Sequence, residues 1–204
     1  MVESTFTNNL FGWYAVGRGL MRELRETIKT IGAAYHLQCM KSTGDGYLLT
    51  YRDPRSAELS AIHAIDASLR IIEVLNTRNE DESTAQERKI NVRIAVHFGQ
   101  VDVVDNDREG PDVSYAFRLE GITRESLRSA LNSVAPGELP LQNYIVCSEP
   151  VRGILGRHGY AGALTSLGLL RFKGFHDWHE VFLLGGVDAT PTGETSQQPP
   201  SLRS

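Results

Sequence analysis

The 204-residue sequence has little cysteine: Cys39 and Cys147 are the only two, and no CxxC or CxxH spacing joins them. A disulfide framework and a zinc ribbon are therefore excluded as organising principles, and both residues are expected to be reduced core side chains. It also lacks an excess of positive charge. Lys and Arg number 21 against 25 Asp and Glu, a formal charge of -4, so nothing favours the phosphate contacts that drive nucleic-acid binding. No apolar run approaches the ~20 residues needed to cross a bilayer, and the N-terminus has neither the basic nor the apolar region of a signal peptide. The expectation is a cytoplasmic protein with neither a membrane nor a nucleic acid as partner.

What is present suits one globular core, with 41% hydrophobic and 23% charged residues. Trp13, Leu20, Leu24, Ile28 and Ile31 recur at helical spacing and predict an amphipathic helix over 9–31, stopped at Gly32. Residues 36–43 and 46–51 read as strands of a hairpin turned by Thr43-Gly44-Asp45-Gly46. Asp53-Pro54 is expected to cap a second helix reaching Asn76, followed by a solvated loop over 77–88. Alternation from Ile90 to Phe98, with Gly99 turning into 101–104, predicts a second hairpin. A third helix over 113–129, a loop over 133–141, a strand at 144–147 and a short helix to Leu155 follow, then a strand pair at 164–172 and 180–184. The order predicts an α+β, ferredoxin-like sandwich, a mainly antiparallel sheet with helices packed on one face, over 1–187. From 188 to 204, Pro, Thr, Gln and Ser without apolar period predict a disordered tail.

Chemistry concentrates in three places. Asp45 stands between two glycines at a hairpin tip, where a hard cation carrying phosphate oxygens could approach; plain Asp-Gly turn chemistry explains the same residues. Lys41, four residues upstream on an apolar strand, needs solvent or an acceptor. After the Gly110-Pro111 break, Ser114 and Arg118 lie four apart on one helical face. A guanidinium there suits charge on a transferring phosphoryl group, or else a surface pair with Glu120 or Asp112. His176 and His179, three apart, read as polar turn positions, and His36, His63, His97 and His158 as isolated packing or surface residues.

In order along the chain, Lys41-Ser42-Thr43-Gly44-Asp45-Gly46, His97-Phe98-Gly99-Gln100-Val101, the segment from Gly110 to Glu120, and Phe172-Lys173-Gly174-Phe175 with Val181-Phe182-Leu183-Leu184 resemble the motifs of the class III nucleotidyl cyclase (adenylate/guanylate cyclase) catalytic domain. The resemblance runs from the first helix to about Leu184. It implies that Asp45 is one of two metal-binding aspartates, that Lys41 hydrogen-bonds the purine with Asp107 as its partner, and that Arg118 stabilises the pentavalent transition state. Lys173 lies near where the family places a phosphate-contacting lysine. The family has asparagine, orienting the ribose, where this chain has Ser114.

The resemblance further implies two divalent cations, Mg²⁺ or Mn²⁺, a homodimer with each active site built across its interface, and ATP as the nucleoside triphosphate converted to a 3′,5′-cyclic nucleotide and pyrophosphate. The family's first metal aspartate ends an opening strand, for which the sequence as given shows no counterpart; the expectation is that a segment upstream of Met1 supplies it. A second reading is a catalytically silent cyclase homology domain acting in nucleotide binding or dimerisation.

Overall fold

The computed structural model describes residues 16–81, 84–128 and 139–185. The start of the predicted first helix, with Trp13, and the tail from 188 lie outside them.

Helix α1 (Val16–Ala34) follows the apolar spacing, burying Leu20, Leu24 and Ile28 while its arginines and glutamates face water. It runs two residues past Gly32 before the chain turns into β1 (Leu37–Ser42) and β2 (Tyr47–Tyr51), which pair antiparallel as the first hairpin. Helix α2 (Ala57–Glu80) begins later than the Asp53-Pro54 expectation. Ser56 is its cap, its side chain accepting from the Glu58 N–H at 3.1 Å, whereas the buried Asp53 carboxylate is occupied by Arg55 and His63. The predicted loop over 77–88 is in part the last turn of α2 and in part a 3₁₀ turn at Gln86–Arg88. The helix persists because Asn79 is buried there and brackets Ile90, donating to its carbonyl at 2.8 Å and accepting from its N–H at 2.9 Å.

The second hairpin is not the one predicted. Strand β3 (Arg93–Val96) pairs in parallel with β6 (Tyr144–Ser148), and the hairpin forms between β4 (Asp102–Val104) and β5 (Asp107–Glu109). Its turn is Asp105-Asn106, both at positive φ (48° and 66°), where Asp and Asn are tolerated better than other side chains. Gly99 allows a close approach instead of a hairpin turn: a Cβ there would meet the Asp112 carboxyl group at 2.3 Å. The third predicted helix is broken at Gly121 into α3 (Pro111–Glu120) and α4 (Arg124–Arg128). Helix α5 (Glu149–Arg157) and strands β7 (Leu164–Arg171) and β8 (Trp178–Leu184) complete the described chain.

Among the described residues the main sheet is four-stranded in the order β3-β6-β8-β7, antiparallel except for β3 with β6. The α+β class stands, but helices cover both faces rather than one. Strand β6 is apolar on both sides: Ile145 and Cys147 pack with Ile65, Val151 and Leu155 of α2 and α5, while Tyr144 and Val146 pack with Leu119 and Leu127 of α3 and α4. Burial pushes the Cys147 thiol up to about 12; Cys39 is only half-buried.

Strands β2 and β3, joined through α2, share no ladder. Between them lies a cavity of about 840 Å³, lined by Tyr47, Leu49 and Tyr51 of β2, Ile94 and Val96 of β3, and Ile71 of α2, and reaching Asp45 and Gly99 at one end.

Candidate active site

Hairpin geometry fixes Asp45. The Thr43 N–H bonds to the Gly46 carbonyl at 3.0 Å, Gly44 takes φ 107°, and the carboxylate is left exposed at the tip on the rim of the cavity. Among the described residues it has no hydrogen-bond or ion-pair partner.

Lys41, on the outward side of β1, meets Asp107 at the start of β5. Its Nζ lies 2.6 Å from Oδ1 and 2.5 Å from Oδ2. This contact ties together segments 66 residues apart, from two different hairpins. The ammonium, and then the Arg108 N–H at 2.7 Å, hold the Asp107 carboxyl below its ordinary range. Both side chains keep more than a third of their surface in water (48% and 37%), so the pair contributes little to stability and remains open to a ligand.

Ser114 and Arg118 project from the exposed side of α3, one turn apart. Both carboxylates considered as surface partners of Arg118 are engaged elsewhere. Glu120 pairs with Arg93 at 2.7 Å, and Asp112 accepts from Gln100 N–H at 2.6 Å and lies 3.2 Å from His97 Nε2. Arg118 has no ion-pair partner among the described residues. Lys173 is exposed in the β7–β8 turn, which Gly174 makes possible at φ 91°; no contact joins it to Asp45 or Lys41.

The structure thus brings Lys41 and Asp107 into contact and sets Asp45 at the tip of the Lys41 hairpin, whereas Ser114, Arg118 and Lys173 share no hydrogen bond or ion pair with them. His97, read as isolated, links β6 to α3: its ring nitrogens lie 2.8 Å from Ser148 Oγ and 3.2 Å from Asp112 Oδ1, and burial lowers its pKa. His179 packs against Tyr115, Phe172 and Phe175, while His176 is exposed, so the pair spaced three apart does not converge.

As a cation site the tip offers one hard oxygen ligand. The other carboxylates on the cavity wall, Asp53, Asp112 and Glu120, are already bonded to Arg55, Gln100 and Arg93. The donor set among the described residues therefore fits one ion shared with phosphate oxygens, and not two.

Residues 16–111 match the family model described as the adenylate and guanylate cyclase catalytic domain. A crystal structure of an adenylate/guanylate cyclase/hydrolase from Silicibacter pomeroyi superposes with a TM-score of 0.64 at 25% identity, covering 89% of this chain and 90% of that one. The guanylate cyclase domain of RhGC from Catenaria anguillulae, solved with GTP, has the same TM-score of 0.64 and the same coverage of 89% and 90%, at 17% identity, a likeness of fold alone. A Rhizobium meliloti (strain 1021) protein bearing an adenylate cyclase name is 26% identical over 103 residues, which are 50% of this chain and 16% of that protein, so the likeness concerns a small part of the relative. Over residues 16–111, just under half of its length, the chain is similar to the catalytic domain of the class III nucleotidyl cyclases, a family whose domains generally depend on divalent cations. Among the described residues no helix is long and apolar enough to cross a membrane.

Proposed function

We propose that this chain is a cytoplasmic nucleotidyl cyclase acting on ATP as a homodimer. The observation that carries the reading is the Lys41–Asp107 contact, at 2.6 and 2.5 Å, made by the hairpin that bears Asp45 at its tip. A donor beside an acceptor complements the N1 and 6-amino group of adenine. The base would take the place of the internal contact, Lys41 donating to N1 and Asp107 accepting from the amino group. Asp45 would hold the triphosphate end through a divalent cation, Mg²⁺ or Mn²⁺, whose chemistry when bound is to polarise the attacking hydroxyl and neutralise phosphate charge.

Arg118 points outward with its fork free, which suits the site of a twofold partner. Val103, Val104 and Phe117 stand exposed in the β4–β5 hairpin and α3, apolar surface that such a partner would cover. In the assembled site the guanidinium would stabilise charge on the α-phosphoryl oxygens as the ribose 3′-oxygen attacks and pyrophosphate leaves. Ser114 would reach the ribose through a water, and Lys173 would contact the phosphates. A second metal carboxylate has to come from outside the described residues. The cavity lined by β2 and β3, whose facing edges are unpaired among the described residues, reaches Asp45 and has room for an extended segment that would bring it.

The lone carboxylate at the tip favours a second reading, a silent domain that binds nucleotide and dimerises. Incubation of the chain, extended upstream so that the second metal carboxylate is included, with ATP, GTP, CTP and UTP and Mn²⁺, with cyclic product and pyrophosphate measured, separates the two. The first reading expects cyclic AMP from ATP. Nucleotide binding by a folded dimer without cyclic product from any of the four leaves the silent domain, and preference for another base overturns the role given to Lys41.

A further inference from the structure

At the foot of the first hairpin, away from Asp45, three side chains from separate elements converge. His36 ends the α1–β1 connection, Asp53 follows β2, and His63 lies in the second turn of α2. One ligand atom from each lies within 4.8 Å of the others. His63 Nε2 is 2.9 Å and His36 Nε2 3.7 Å from Asp53 Oδ2, with the two imidazole centroids 4.9 Å apart. A tetrahedral zinc ion with ligands at ~2.0–2.1 Å sets its ligand atoms about 3.3 Å apart, so only His36 has to swing inward.

Two further features fit a bound ion. His36 adopts φ 57°, a left-handed conformation that costs a non-glycine residue, and it brings the imidazole to Asp53. Asp53 is fully buried in its side chain, whereas His36 is 46% exposed, so the site is anchored on an ionised carboxylate and entered from solvent. The group now opposite the carboxylate is Arg55, with Nη2 at 2.7 Å from Oδ2 and Nε at 3.0 Å from Oδ1. Its side chain is 68% exposed and can leave without disturbing the core.

We propose that His36, Asp53 and His63 form a zinc site, distinct from the nucleotide site, with water in the fourth position. It staples α1, the β2–α2 connection and α2 together beneath the hairpin that carries Lys41 and Asp45, and the ion displaces the Arg55 guanidinium from Asp53. Nitrogen and oxygen donors of this kind prefer zinc over magnesium.

The test titrates the metal-free chain with Co²⁺, reading the visible absorption of tetrahedral cobalt, displaces it with Zn²⁺, and follows melting with and without Zn²⁺. The expected result is one tetrahedral Co²⁺ per chain and a zinc-dependent rise in melting temperature of roughly 5 °C or more at saturating metal. His36→Gly suits the positive φ, so the variant folds, and it should weaken Co²⁺ more than 10-fold, beyond the roughly 10-fold lower bound for losing a group that only hydrogen-bonds a metal ligand. Arg55→Ala should tighten binding by at least about 1.5-fold, because the guanidinium, exposed itself but bonded twice to the buried Asp53 carboxylate, no longer competes with the ion. Asp45→Asn should leave the cobalt spectrum unchanged. An octahedral or absent cobalt spectrum, or equal zinc stabilisation of wild type and His36→Gly, overturns the proposal.

Discussion

Replacing Arg118 by alanine separates folding from chemistry more cleanly than any other substitution in the site. The side chain is exposed on α3, and its sequence neighbours of opposite charge are committed elsewhere, Glu120 to Arg93 at 2.7 Å and Asp112 to the Gln100 N–H at 2.6 Å. Truncation therefore breaks no ion pair and opens no cavity, and the melting temperature should move by no more than about 2 °C, as for surface changes generally. If the guanidinium stabilises charge that develops on the phosphoryl group, kcat should fall by roughly 100- to 1000-fold, the range for losing one pre-organised donor at such a position. KM for ATP should stay within a few-fold, because the interaction is made in the transition state. Arg118→Lys keeps the charge without the planar fork and should recover only part of the loss. Initial rates of cyclic AMP formation with Mn²⁺, beside a thermal melt, provide the measurement. Turnover within threefold of wild type, or a melting temperature lowered by more than 5 °C, would refute the reasoning.

Asp107→Ala removes the acceptor beside Lys41 and should weaken ATP binding by roughly 10-fold or more while leaving the melt nearly unchanged, since the contact is half in water; calorimetric titration with a non-reacting ATP analogue checks it, and unchanged affinity argues against base recognition there. Asn79→Ala leaves the buried Ile90 N–H and carbonyl unpaired and should cost about 2–4 kcal/mol, measurable by denaturant unfolding. Burial lowers the His97 pKa, so its unfolded form binds the proton more readily. Its contribution is complete above about pH 6.5 and is lost as pH falls through the lower folded value, so the melting temperature should drop on acidification below pH 6.5, less steeply in His97→Gln.

The parts of the fold legible in the sequence are those set by local periodicity. Leu20, Leu24 and Ile28 mark α1, and the Thr43-Gly44-Asp45-Gly46 turn marks the first hairpin. Both bring their residues to the predicted place without help from distant contacts. Strand pairing is different. Alternation from Ile90 to Phe98 signals a strand but carries no information on its partner, and the partner is β6, about fifty residues away, because Ile94 and Val96 complete a face shared with Ile145 and Cys147. Asp105-Asn106 is a turn signal eclipsed by Gly99, whose role is to admit the Asp112 side chain. Asp53 has the local chemistry of a helix cap, yet Ser56 takes that role and frees the carboxylate for Arg55, His63 and His36, a convergence that no spacing along the chain announces. Within the site, the Lys41–Asp107 contact was legible through family motifs, because the residues lie on different hairpins whose relative placement only the fold supplies.

The claim at the centre is that Asp45 and Arg118 of one chain serve different sites of a dimer. Mixing refolded Asp45→Ala and Arg118→Ala chains tests it directly. Random association makes half the dimers mixed, each with one intact site of two, so about one quarter of wild-type cyclase activity should return from two inactive proteins. A mixture no more active than either variant alone, with subunit exchange verified, would contradict the shared site.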